Sequence, residues 1–178
     1  YYLYQARWRP DLPMAHILPH WTWPGREGEV TPVHVYTSGD AAELFVNGRS
    51  QGLRRKGAFE YRLRWDSVRY EPGEVRVVAY RNGKPWAENR IETAGKAAFV
   101  ELTVDRTTVQ AGSEDLFFVT AKLTDRRGRF VPQAADRLDF SVEGPARIVA
   151  TDNGDPTSHA SFQSLSLIHI SEPTRLGM

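Results

Sequence analysis

Two tryptophans two residues apart, Trp21 and Trp23, head the residues of this chain whose types could do chemistry. An aromatic face packs on the CH-rich face of a pyranose and releases water, so such a pair could hold one ring in a core and offer the other to a sugar. The plainer reading is that both rings staple the chain to a neighbouring surface. Just ahead stand His16 and His20, at the spacing of a zinc pair on one helical face. Pro19 lies between them and breaks a regular helix, and no third ligand accompanies them, so no metal is expected. Glu27 and Glu29 form a close carboxylate pair, and a retaining glycosidase works with two carboxyls roughly 5 Å apart, one of them raised in pKa. Here the two flank Gly28 beside Arg26, with nothing apolar next to them, and are expected as solvated loop charges. Asp152, Asn153 and Asp155 suggest a calcium loop but lack its closing glutamate, so a turn is expected. His20, Ser38 and Asp40 have the types of a hydrolase triad without a nucleophile elbow to frame them. The sequence thus assigns no catalytic residue, no metal ligand and no cofactor; Trp21 and Trp23 are its substrate-contact candidates.

The elements that would position these residues sit in a chain of 178 residues, enough for one domain or two small ones. Apolar residues at 40% and charged residues at 25% fit a globular chain. A net charge of +1 gives no reason to expect nucleic acid as a partner. No apolar run approaches the roughly 20 residues that span a bilayer, so membrane insertion is not expected. Cysteine is absent, which removes disulfides, thiolate metal sites and a cysteine nucleophile. That absence does not fix the compartment: periplasm, cell exterior and cytoplasm all stay open.

Tyr1, Tyr4 and Trp8 share one helical face, and Pro10 ends any helix. The opening lacks a basic region and a cleavage site, so it reads as a truncation point rather than a signal peptide. Residues 9–29, rich in proline and glycine, read as a connector whose Met14, Trp21 and Trp23 need a surface to cover. From Thr31 the period becomes two. Strands are expected at 31–37, 43–46, 49–53, 59–65, 75–80 and 86–93, with Asn47-Gly48 and Asn82-Gly83 as hairpin turns. Trp65 and Trp86 fall in strand patterns and are expected in the core. Ala94-Gly95-Lys96 marks a boundary. Beyond it strands are expected at 99–104, 115–124, 138–142 and 146–150, with turns at 110–113, 127–128 and 152–155. The second unit has about 65 residues, where an immunoglobulin-like sandwich takes about 100, so its last strands are expected to be missing.

The run His16-Ile17-Leu18-Pro19-His20-Trp21-Thr22-Trp23-Pro24, leading into the strand Val33–Thr37, resembles the segment that leaves the catalytic barrel in family 2 glycoside hydrolases of the β-galactosidase type. Ala41-Ala42-Glu43-Leu44-Phe45-Val46-Asn47-Gly48 resembles a hairpin of the first C-terminal immunoglobulin-like domain, and residues 152–163 resemble a stretch near the end of the following domain. The resemblance implies an all-β chain of two tandem immunoglobulin-like β-sandwich domains, the second incomplete, preceded by a short helix remnant of a (β/α)8 barrel. It divides the chain into barrel end and connector (1–29), first sandwich (30–95), truncated second domain (96–163) and a non-native tail (164–178). The tail, Leu165-Ser166-Leu167-Ile168-His169-Ile170 onward, resembles translated sequencing adaptor; its alternative is a genuine last strand. The implied parent hydrolyses β-galactosides or related glycosides with retention, through two glutamates in a barrel that this sequence does not contain. The implied partners are that barrel, a galactoside at its rim, and a second copy of the parent enzyme. The alternatives are a tandem immunoglobulin-like adhesion protein, or a carbohydrate-binding module using Trp21, Trp23 or Trp86.

Overall fold

The structure, a computed structural model, describes residues 1–108, 116–155 and 157–168, and 174–177 as backbone only. The chain forms two compact units, Tyr1–Thr93 and Ala94–Met178.

In the first unit a short helix, α1 (Tyr2–Trp8), is followed by β1 (Ala15–Leu18), β2 (Val33–Thr37), β3 (Ala41–Val46), β4 (Arg49–Arg55), β5 (Leu63–Trp65), β6 (Glu74–Arg81) and β7 (Lys84–Glu92). All pairings are antiparallel, in one sheet of order β1-β2-β5 and another of order β4-β3-β6-β7. Alternation does the sorting. Val33 and Val35 of β2, Leu44 and Val46 of β3, and Val75, Val77 and Ala79 of β6 share one buried cluster. Both Asn-Gly turns form as expected, with positive φ at Asn47, Gly48, Asn82 and Gly83.

Two expectations change. The connector belongs to the first unit. Its residues 15–18 pair with β2, the Thr37 hydroxyl donates to the Met14 carbonyl (2.7 Å), and the Ser38 hydroxyl donates to the Leu12 carbonyl (2.6 Å). The surface that covers Met14, Ile17 and Trp21 is therefore the sandwich itself, and the connector lies in the same compact unit as residues 30–93. The alternating stretch 59–65 forms a strand only over its last three residues. Glu60 bonds back to Gly57 through both its backbone N–H and its side-chain Oε2, which makes a turn where the ladder would have run.

Gly73 joins two hairpins. Its φ is +137°, and a Cβ there would lie 2.0 Å from Asn47 Oδ1, the atom that accepts the Glu74 N–H at 2.8 Å. Gly73→Ala is expected to cost about 1–3 kcal/mol through backbone strain and that lost bond. Chemical denaturation of the variant against the parent chain measures it.

The second unit contains β8 (Phe99–Val104), β9 (Phe118–Thr124), β10 (Leu138–Asp139), β11 (Ala150–Asp152), β12 (Ser166–Leu167) and β13 (Thr174–Gly177). One sheet has the order β11-β13-β9-β8; β10 and β12 pair separately. The core is small: Ala94, Leu123, Val131, Ala134 and Leu167. The strands expected at 138–142 and 146–150 shrink to β10 and shift to β11. The turn expected at 110–113 lies outside the described residues. Within the expected tail, Ser166–Leu167 pairs with β10, and residues 174–177 pair with both β11 and β9.

The turn after β9 is organised by Asp125, which is buried. One oxygen accepts the backbone N–H groups of Arg127 (2.8 Å) and Arg129 (3.0 Å); the other accepts the Gly95 N–H (2.8 Å) and the Arg129 guanidinium (2.6 Å). The Arg129 side chain first, then the backbone donors, hold this carboxyl well below the usual carboxylate range. A depressed pKa contributes stability that is complete above the unfolded value, near pH 3.9, and is lost as pH falls below it. The second unit is therefore expected to hold its stability down to about pH 4 and to weaken below, with a smaller acid slope in Asp125→Asn. Thermal melts over an acid series check it.

Candidate functional site

Trp21 is 1% exposed. Its indole N–H donates to the Glu71 carbonyl (2.9 Å), and its ring meets Tyr70 edge-on with centroids 5.1 Å apart. Trp21 is thus part of the core cluster of the first unit. Trp65 is also buried, donating to the Gly52 carbonyl (2.9 Å). Trp86 lies outside the core cluster, half-buried. It donates to the Ser38 hydroxyl (2.8 Å), and the Arg81 guanidinium sits 4.8 Å from its ring centre.

Trp23 is half-buried and already occupied. His20 stacks on its ring with centroids 4.0 Å apart, the Arg26 guanidinium lies 5.3 Å from the ring centre, and its backbone N–H donates to the Tyr70 hydroxyl (3.2 Å). His16, in β1, stacks instead on Tyr2 at 3.6 Å. Burial lowers the pKa of both imidazoles, favouring the neutral rings that stack. Each histidine thus has an aromatic partner of its own. Among the described residues no three metal-ligating side chains gather.

The carboxylates that the sequence singled out, Glu27, Glu29, Asp40, Asp152 and Asp155, each bond to backbone or to arginine. Glu27 accepts the Gly25 N–H (3.3 Å) and Glu29 pairs with Arg26 (2.8 Å). Asp152 and Asn153 accept the N–H groups of Gly154 and Asp155, and Asp155 accepts the Thr157 N–H (2.8 Å), which makes the turn read from the sequence. Ser38 and Asp40 serve Leu12 and Asn82 respectively and bring no triad to His20. The carboxyls of Asp11, Asp125 and Asp139 each lie below their usual range, in each case chiefly through an arginine. A glycosidase general acid needs the opposite shift.

A different site emerges between α1 and the loop after β4. It is a cleft of about 390 Å3, within the range of small-ligand sites. Tyr4 and Trp8 come from the helix and Phe59 and Tyr61 from the loop, with Arg7 and Lys56 among them. Ala6, also at the cleft, is the buried residue of the helix. Sequence reasoning missed this cleft. It placed Tyr4 on a helical face with Tyr1 and Trp8, and put Phe59 and Tyr61 in a strand over 59–65. The signal available was Gly57, three residues ahead of Glu60, marking a turn inside the alternation.

Residues 28–87 match a family described as a domain of unknown function (DUF4982), and residues 100–170 match glycoside hydrolase family 2 C-terminal domain 5. A β-galactosidase of Bacteroides ovatus is 43% identical over 92% of this chain, which spans 19% of that protein. A putative β-glucuronidase of Formosa agariphila is 33% identical over 90% of the chain and 16% of its own length. A β-glycosidase structure from Bacteroides vulgatus superposes with a TM-score of 0.88 at 35% identity, covering 98% of this chain and 22% of that one. The chain thus spans about a fifth of the relatives it matches.

Proposed function

We propose that this chain, which belongs to the C-terminal region of glycoside hydrolase family 2, supports the catalytic body of a retaining glycosidase acting on β-galactosides or related β-glycosides. The chain itself is the non-catalytic region of a glycoside hydrolase. The supporting role rests chiefly on one observation: the chain matches a family 2 C-terminal domain over residues 100–170 and spans only 19% of the β-galactosidase it resembles.

In this proposal the two catalytic glutamates lie on the barrel of the parent enzyme. The chain braces that barrel, Trp23 stands near the rim where a galactoside enters, and the parent forms homo-oligomers. The first unit is the bracing element, since the connector is laced into its sheets and gives it a rigid entry. Residues 164–178 are proposed as an addition to the natural sequence.

Chromogenic β-galactosides and β-glucuronides test the reading. The 178-residue chain should hydrolyse neither. The parent polypeptide should hydrolyse at least one, and deleting this region from it should lower its activity and melting temperature together. Turnover by the chain alone, or an unaffected parent after the deletion, would overturn it.

A further inference from the structure

The cleft beside α1 is built like one half of a protein interface. Tyr4, Trp8, Phe59 and Tyr61 line it, Trp8 72% and Phe59 96% exposed, and large apolar groups gathered in one place mark surfaces that other protein covers. Aromatic rings and arginine are the residues enriched where two protein surfaces bury one another, and Arg7 stands among the four rings. The rings are pre-arranged. Tyr4 and Trp8 lie one helical turn apart with centroids at 4.8 Å. The opposite wall stands on fixed backbone: the Lys56 N–H donates to the Asp40 carbonyl (2.9 Å), the Lys56 ammonium to the Thr37 carbonyl (2.6 Å), and the Gly57–Glu60 turn follows at once. Rings held this way lose little entropy when a second surface closes on them.

The place of the cleft says what closes on it. The chain spans 19% of the β-galactosidase it resembles and ends in a match to a C-terminal domain, so on the proposed reading most of the parent polypeptide precedes Tyr1. α1 starts at Tyr2, and Tyr4 lies within one helical turn of that junction. The preceding polypeptide therefore emerges beside the cleft. Charge gives the chemistry of its surface. Arg7 and Lys56 line the same space and repel each other; that repulsion, after burial, helps lower the Lys56 pKa. Among the described residues Arg7 pairs with no carboxylate. Glu60, the one carboxylate among the lining residues, is turned onto the Gly57 N–H. A carboxylate brought between Arg7 and Lys56 from outside would relieve their repulsion and gain charge-assisted hydrogen bonds.

We infer that this cleft is the docking surface for the part of the parent polypeptide that precedes Tyr1: an apolar side chain of that body seats between the helix rings, Tyr4 and Trp8, and the loop rings, Phe59 and Tyr61, while one of its carboxylates lies between Arg7 and Lys56. The inference rests on the bracing role and names the residues through which the first unit performs it. It gives the loop after β4, which lies outside the connector, a direct share in holding the two bodies together.

Hydroxyl-radical footprinting of the 178-residue chain and of the parent polypeptide, side by side, reads side-chain exposure directly. Trp8 sits close to the junction and is covered by any neighbour in sequence, so Phe59 and Tyr61 decide. Their oxidation should fall about tenfold in the parent relative to the chain. Phe59→Ala should leave the melting temperature of the chain alone nearly unchanged and lower that of the parent by about 2–4 °C. Arg7→Gln should lower the parent's likewise, and Arg7→Lys should recover part of the loss. Amide spectra of each variant of the chain confirm that the fold is kept. Equal oxidation of Phe59 and Tyr61 in the two polypeptides, with the parent's activity still falling when this region is deleted, would overturn the docking surface and leave the bracing role standing. A parent unaffected by that deletion would overturn both. Arg7→Gln without effect in a parent that Phe59→Ala destabilises would overturn the carboxylate between Arg7 and Lys56.

Discussion

Trp21→Ala should destabilise the first unit by about 3–5 kcal/mol, the usual cost of deleting a large buried aromatic. The ring is among the largest fully buried side chains, and its cluster includes residues of both sheets and of the connector. Three losses combine. The apolar area of the indole is gone, a cavity opens beside Tyr70, and the Glu71 carbonyl loses its donor at 2.9 Å. Trp21→Phe keeps most of the packing and loses the hydrogen bond, so about 1–3 kcal/mol is expected from the unpaired carbonyl. Trp8→Ala is the control: its ring is exposed, and a surface change of that kind stays within about 0.5 kcal/mol. Urea denaturation of the three variants orders them. Equal effects at Trp21 and Trp8 would mean that the connector does not enter the core.

The second large effect is a truncation. Ending the chain after Gln163 removes β12 and β13. β13 stands between β11 and β9, so its loss strands β11 and leaves β9 paired with β8 alone. Leu167, buried in the small core of this unit, goes with it. Every residue of β8 is already exposed, including Phe99 and Leu102, so the remaining pair has little apolar area to hold it. A two-stranded pair is marginal in water. The truncated chain is expected to lose cooperative unfolding beyond Lys96, while residues 30–93 keep slow amide exchange. Uniform protection across both units would contradict this.

The sequence made the first unit legible where local chemistry is unambiguous. Asn47-Gly48 and Asn82-Gly83 accept positive φ, and the strands beside them alternate without a break. It hid β1 because Pro13 and Pro19 bracket only four strand residues, and prolines so close read as a connector. It hid the fate of Trp21 for a different reason. A tryptophan in a proline-rich run is equally compatible with a core or a ligand platform, and only the long-range bond to Glu71 decides between them. Asp125 was overlooked although Asp125-Arg126-Arg127-Gly128 carries the aspartate and glycine of a type I turn. What the pattern could not give was the Gly95 and Arg129 contacts that make it an anchor. The cleft was illegible because it joins α1 to a loop some fifty residues away, a proximity no local period records.

The most direct test is to amplify the genomic locus and sequence outward from both ends of this reading frame. We expect an uninterrupted frame upstream that encodes a glycosidase barrel with a glutamate at the ends of two strands, and a continuation after Gln163 unlike Leu165–Met178. A start codon just ahead of Tyr1, or further sandwich repeats in place of a barrel, would contradict the reading and leave a binding or adhesion protein.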